Sequence, residues 1–333
     1  MNLILTFFLL SSSPIWAWND TGHRLVALVA WDRLSVSGQE RILTHLRAHP
    51  RFAEDFRMPD EVARADESSR ARWIFAHAAV WPDIVKGFEG ELRQTWNNSS
   101  WHYINLPYYL TDADRKELDP DLPMNLERAW DPNVHGAGRL NVIQSIARSR
   151  HVLTEGDTSS SDRGLAISWL LHTVGDLHQP LHSTALFTSR RFRRGDAGGN
   201  GIMIVGAEDL HAVWDDLIPD VGTLAEHDAL VDRLTSDEGV TRHATTGATM
   251  LNTEDWLSES HDLAIEVAYN DLVLDTVAAN EAVYDPSKSW PDQPYLPEVQ
   301  LSDRYLARAR RVAVRRIVLA GHRLAAVLKE CGF

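Results

Sequence analysis

Apolar residues recur at spacings of three and four along most of this chain, and the sustained apolar–polar alternation of half-buried strands does not recur. The pattern predicts helices over residues 22–34, 37–48, 139–153, 163–177, 207–217, 223–234, 240–251, 261–277 and 302–329. Two stretches break it. Residues 87–132 are rich in Pro, Asn, Asp and Trp and read as irregular. Residues 190–205, RRFRRGDAGGNGIMIV, combine a basic run, a glycine-rich turn and a short apolar end that resembles a strand. No internal repeat, heptad pattern or low-complexity linker is visible. The reading is an all-α protein, a single mostly helical domain with long irregular loops.

One apolar run has an unexpected continuation. GLAISWLL, residues 164–171, belongs inside a protein, yet it leads directly into HTVGDLHQPLH, residues 172–182, with three histidines and an aspartate. Residues four apart share a helix face, so His172 and Asp176 form a pair. His211 and Asp215, in DLHAVWDDL, form another. Pro180 disfavours helix at the residue before it, which ends this helix near Gln179 and sends His182 off in a new direction. Buried without partners, such groups cost several kcal/mol, roughly, per polar or charged group. Imidazole and carboxylate are also zinc's nitrogen and oxygen ligands, and a bound cation removes the cost. The bland alternatives are satisfied core or surface histidines and simple His–Asp hydrogen bonds. His178, on the same stretch, is given a packing role behind the ligands.

Composition narrows the picture. The chain has 333 residues, 44% apolar and 24% charged, which is globular composition with ample length for a core. Its net charge of −14 excludes a broad electrostatic grip on duplex phosphates. A site carrying its own metal cations escapes that objection. Cys331 is the single cysteine, so neither an intrachain disulfide nor a cysteine-based zinc finger can form. The N-terminus, MNLILTFFLLSSSPIWA, has a short apolar core and a small residue at Ala17, which predicts a signal peptide over residues 1–17 and a secreted or periplasmic enzyme. The alternatives are a frayed apolar end or an uncleaved anchor. No later segment is apolar and long enough to span a membrane.

Three further motifs complete a pattern. WHYIN places His102 between Trp101 and Tyr103, AVWPDIVK contains Asp83, and WNDTGH begins at Trp18, directly after the predicted cut, and ends at His23. With these, the sequence resembles the zinc-dependent, single-strand-specific nucleases of the nuclease S-one and nuclease P-one type, from Trp18 to LAGHRLAAVLKE near the end. The resemblance implies three zinc ions. Asp83, His102, His172 and Asp176 would hold one. Trp18, through its amine and carbonyl, would hold a second with His23, with Asp176 bridging. His182, His211 and Asp215 would hold the third. The implied reaction is in-line hydrolysis of single-stranded DNA and RNA by a metal-activated water, leaving 5′-phosphorylated products, together with 3′-nucleotidase activity.

Other roles follow from the same resemblance. Asp83 could also orient the attacking water, and Lys86 would neutralise charge in the transition state; otherwise Lys86 is a solvated surface lysine. Tyr103 would stack on a base, or else pack beside His102. Asn105 stands where the fungal enzyme has Asp, which leaves base preference open. Asn200, in the glycine-rich turn, would contact phosphate or simply form the turn. Asn19, Asn97 and Asn98 match the glycosylation sequon. The expected partners are single-stranded nucleic acid and nucleotides, with no stable membrane association and no obligate protein partner. The alternatives are a zinc phospholipase C of related fold, whose last ligand is Glu where this chain has Asp215, and a non-catalytic zinc-binding protein.

Overall fold

The computed structural model describes residues 18–119, 122, 124–133, 139–288, 293–294 and 296–333. The expected signal peptide over residues 1–17 lies outside the described residues.

Among the described residues there are sixteen α-helices and a two-stranded sheet. In chain order they are α1 (Asp20–Trp31), α2 (Val36–Arg47), α3 (Phe52–Asp55), α4 (Asp60–Ala63), α5 (Glu67–Ala78), α6 (Trp81–Ile84), α7 (Gly90–Trp96), β1 (Leu106–Tyr109), α8 (Asp112–Leu118), α9 (Val142–Thr154), α10 (Ser160–Leu177), β2 (Thr184–Phe187), α11 (Leu210–Asp215), α12 (Leu224–Thr235), α13 (Glu238–Gly247), α14 (Thr253–Leu263), α15 (Asp271–Val283) and α16 (Asp303–Glu330). One apolar core runs from Trp18 to Phe333.

The arrangement follows from α10. Ser159 caps it by accepting the Asp162 N–H, and from Ala166 to Leu177 every residue is buried. A helix apolar all round must be surrounded, and α10 packs against α9, α2, α1 and α16. Glycines allow two of the closest approaches. A Cβ on Gly164 of α10 would lie 2.3 Å from the His45 carbonyl oxygen of α2. One on Gly321 of α16 would lie 2.4 Å from Val29 Cγ1 of α1. The helix stops where the sequence says it should. Leu177 is its last residue, and Gln179 has turned to ψ 117° before Pro180 opens a 3-10 turn over Pro180–His182.

Three expectations need correction. The stretch 261–277 is not one helix. It comprises the end of α14, a π turn over Ala264–Ala268 and the start of α15. The break arises because Asn270 caps α15 through the Val273 N–H, and Tyr269 is turned inward so that its hydroxyl reaches Asp196 at 2.9 Å. The stretch 87–132 contains α7, α8 and β1, and is not wholly irregular. The apolar end of 190–205 forms isolated bridges from Met203 to Asp209 and from Ile204 to Val299, and belongs to no strand. The pattern also gave no sign of α5.

Among the described residues, no helix is long and apolar enough to cross a membrane. Asn19 accepts the Gly22 N–H as cap of α1 and donates its amide to the Ile218 carbonyl at 2.9 Å. That sequon therefore presents no free amide in the folded chain.

The backbone contact between α1 and α16 is testable. Gly321→Ala forces Val29 and the Val26 carbonyl aside and should destabilise the protein by about 1–3 kcal/mol. Gly156→Ala, with nothing within 4 Å of its Cβ, should leave stability unchanged or slightly raised. Denaturant unfolding compares the two; equal midpoints would show that the helices can part at no cost.

Candidate metal centre

Six segments bring their polar residues to one place at the end of α10. His172 and Asp176 come from the last turns of α10, one helical turn apart, with Nε2 and Oδ2 separated by 3.2 Å. His211 and Asp215 repeat the pair on α11, at 3.5 Å. That helix has only six residues and is started by Asp209, which accepts the Ala212 N–H at 2.8 Å. His23 comes from α1 and Asp83 from α6. Gly175 makes room for His23, since a Cβ there would lie 3.0 Å from its Nδ1.

The small sheet aligns the other two histidines. Parallel pairing of β1 with β2 sets Leu106 beside Thr184. One step earlier, Ile104 donates its N–H to the His182 carbonyl at 2.8 Å, and the His182 ring donates Nδ1–H to the His102 carbonyl at 2.7 Å. His102 and His182 are thereby fixed side by side although 80 residues separate them.

Backbone carbonyls set the orientation of three rings. His172 donates Nδ1–H to Ala79, His182 to His102 and His211 to Gly198, each at 2.7 Å. In each case the tautomer is fixed and the Nε2 lone pair is directed into the centre. This is the outer support that metal-ligating histidines receive. The Gly198 carbonyl depends on the glycine-rich turn. Gly198 and Gly199 have φ of 66° and 93°, and a Cβ on Gly198 would lie 2.4 Å from the Leu181 carbonyl oxygen. Buried Asp196 holds the turn by accepting the N–H groups of both glycines.

Three groups of donor atoms result: His23, His172 and Asp176; Asp83, His102 and His172; and His182, His211 and Asp215. Asp176 faces two ways. Its Oδ2 lies 3.1 Å from His102 Nδ1 and 3.2 Å from His172 Nε2, while its Oδ1 lies 3.5 Å from His23 Nε2. The His23 and His172 rings stack with centroids 3.8 Å apart.

All eight side chains are buried. Burial pushes the Asp176 carboxyl up to about 6 and the Asp215 carboxyl well above its ordinary range. It pushes His102 and His182 well below theirs, helped by Lys86 and neighbouring imidazoles. Asp83 Oδ2 and Asp176 Oδ1 receive no hydrogen bond although both are buried. Carboxylate oxygens left without donors, beside imidazoles whose Nε2 lone pairs point inward, fit divalent cations with nitrogen and oxygen ligands.

Trp18 is buried beside this centre. Its indole N–H donates to the Gly175 carbonyl at 3.1 Å, and the next residue, Asn19, donates its backbone N–H to the Asp215 carbonyl. The start of the described chain is thus fastened to two ligand-bearing helices.

A cleft of about 510 Å³ opens at the centre, and His102, His182 and His211 line it. Lys86, Tyr103, Asn105 and Asn200 line it as well. Lys86 Nζ sits 2.5 Å from Asp83 Oδ1 with a side chain 10% exposed, so it is no solvated surface lysine. Tyr103 is 41% exposed and does not pack in the core beside His102. Asn200 donates its amide to Ala197 at 2.6 Å and so forms the turn as well as lining the cleft.

Sequence reasoning missed Gln179. It donates to Asp215 Oδ1 at 2.8 Å and accepts the Leu181 N–H at 2.6 Å, holding a ligand and the turn before His182 together. It stands inside the histidine motif, but a bond between residues 36 apart leaves no mark in the spacing. His178 has the packing role expected of it. Its Nδ1–H donates to Val174, and its Nε2 accepts from buried Arg323 at 3.0 Å.

The chain is 24% identical over 318 residues to Nuclease S1 of Aspergillus oryzae, covering 94% of this chain and 91% of that protein. It is 26% identical over 337 residues to Endonuclease 1 of Arabidopsis thaliana, covering 98% and 92%. Endonuclease 5 of the same plant is 30% identical over 145 residues, 42% of each chain. Residues 18–331 match the S1/P1 Nuclease family, and the chain belongs to it.

Proposed function

We propose that this chain is an exported, zinc-dependent nuclease that cleaves single-stranded DNA and RNA to 5′-phosphorylated products and removes 3′-phosphates from nucleotides. It comprises one nuclease domain over residues 18–333, released by cleavage after Ala17. The observation that carries the reading is the convergence of eight buried imidazoles and carboxylates, in three donor groups, at one cleft.

Asp83, His102, His172 and Asp176 would hold one zinc. Trp18, through its amine and carbonyl, and His23 would hold a second, sharing Asp176. His182, His211 and Asp215 would hold the third. Zinc bound there supplies a lowered pKa for a water molecule and positive charge for the phosphoryl and leaving oxygens. Asp83, a ligand within reach of Lys86, orients the attacking water. Lys86 presents its ammonium to charge developing on the phosphoryl group. Tyr103 offers an exposed ring face to an unpaired base, and Asn105 offers it a donor and an acceptor. A base stacked within a duplex has no face free for Tyr103, so preference for single strands follows from this part of the lining. Asn200 presents its amide to the phosphate side of the cleft.

Assay of processed protein on single-stranded DNA, RNA and phosphatidylcholine tests the reading. Both nucleic acids should be cut and the lipid left intact. Lipid hydrolysis alone would replace the reading with a phospholipase, and bound zinc without hydrolysis with a zinc carrier. Chelation should abolish activity and lower the unfolding temperature, because buried ligands couple metal to folding. His172→Ala and Asp176→Ala should abolish cleavage. Lys86→Ala should keep its zinc and lose turnover by about 10²–10³-fold; wild-type turnover would remove Lys86 from the mechanism.

The N-terminal amine gives a separate test. An α-amine has a pKa near 7.7–8.0, so zinc can displace its proton near neutral pH. A peptide nitrogen cannot substitute, because its lone pair is delocalised into the amide. One residue added before Trp18 should therefore cost one zinc and most activity while leaving the group at His182, His211 and Asp215 filled. Equal zinc content and turnover would exclude the amine as a ligand.

Gln179 gives the last. Gln179→Ala frees Asp215 to turn and should weaken the third zinc by about 10–100-fold, the usual cost of an outer hydrogen-bond partner. Competition with a chelator measures this; unchanged affinity would show that Asp215 needs no support.

A further inference from the structure

A second segment of the cleft lining takes no part in the reaction as described so far. Phe88, Arg93 and Asn97, on and around α7, line the same cleft as His102 and His182. Lys86 and Arg93 are the two permanently cationic side chains in this lining. They differ in one respect. Lys86 is held by Asp83 at 2.5 Å. Arg93 is exposed, and its guanidinium makes no hydrogen bond or ion pair with any described residue. Glu89, one turn earlier and in the same lining, does not pair with it. Other exposed arginines, such as Arg310 and Arg311, are likewise without a carboxylate, so what sets Arg93 apart is its place on the wall of this cleft, where it can meet an anion from outside.

The neighbouring ring is fixed in place. The Arg51 guanidinium lies 5.5 Å from the centroid of Phe88, and Arg51 is itself anchored to Asp55 at 2.8 Å. Phe88 is therefore engaged by Arg51 and the core, and the feature of this segment left for a strand is the charge of Arg93.

We propose that Arg93 binds a phosphate flanking the scissile one, so that this segment of the lining is a subsite for the neighbouring nucleotide of the strand. The proposal rests on the nuclease reading above. A guanidinium can grip phosphate through two parallel N–H donors. The contact involves no reacting atom, so it contributes to binding and not to turnover.

The experiment compares two substrates. A dinucleoside monophosphate has only the scissile phosphate, whereas a longer oligodeoxynucleotide carries flanking ones. Arg93→Ala should raise KM for the longer strand by about tenfold with kcat unchanged. It should leave both constants unchanged for the dinucleoside monophosphate. The salt dependence of log kcat/KM on the longer strand should become shallower by about 0.7, the value for one single-strand phosphate contact. Arg93→Lys, keeping the charge, should restore the salt slope. Equal losses on both substrates, or an unchanged KM and slope on the longer one, would overturn the subsite while leaving the nuclease reading intact. Wild-type protein that cuts neither substrate would overturn both.

Discussion

Everything around the cleft depends on one electrostatic constraint: three carboxylates and five imidazoles are buried together at its inner end. Removing one ionised group from water costs several kcal/mol, roughly, even after relaxation. Without cations, protons would have to bear the cost, and burial already pushes Asp176 and Asp215 toward their neutral forms. Divalent cations reverse that direction, because they reward the ionised carboxylate and the neutral imidazole together. With such ions bound, folding and loading of the centre would be coupled. With Cys331 as its one cysteine, the chain has no intrachain disulfide to share that task.

The scaffold serves this constraint by providing backbone acceptors. Ala79, His102 and Gly198 each offer a carbonyl to an imidazole Nδ1–H, and each lies in a different local structure. Ala79 follows the last residue of α5, His102 ends a 3-10 turn before β1, and Gly198 sits in a positive-φ turn. The long α10, buried at every residue from Ala166 to Leu177, supplies the reference against which all three are placed. Its smallest residue near the centre, Gly175, is small because His23 approaches there.

How much of this could be read in the sequence depended on range. His172 with Asp176 and His211 with Asp215 were legible because four-residue spacing is local geometry. Pro180 fixed the helix end for the same reason. The pairing of β1 with β2 was not legible. Each strand has four residues, one carries Pro107, and neither alternates, since β2 is buried throughout. The break after the π turn was hidden as well. Apolar spacing continues across residues 261–277 while the backbone does not, because Tyr269 turns inward toward Asp196. Asp83, His102, Trp18 and His23 could be joined to the others only through resemblance. Nothing in their spacing places α1, α6 and the segment before β1 around the end of α10.

The basic run RRFRR illustrates how charge in a sequence can mislead about nucleic acid. Five residues with four arginines look like a grip on phosphate. In the fold, Arg193 pairs with Glu117, the Arg190 and Arg191 N–H groups are taken by Glu281, and the Arg191 guanidinium donates to the Gly201 carbonyl. The run is tied down at both ends of the glycine-rich turn that it precedes. That turn presents the Gly198 carbonyl to His211. The guanidinium groups of Arg190, Arg191 and Arg193 are thus held by the protein itself, and what the run supports is the turn that orients one imidazole.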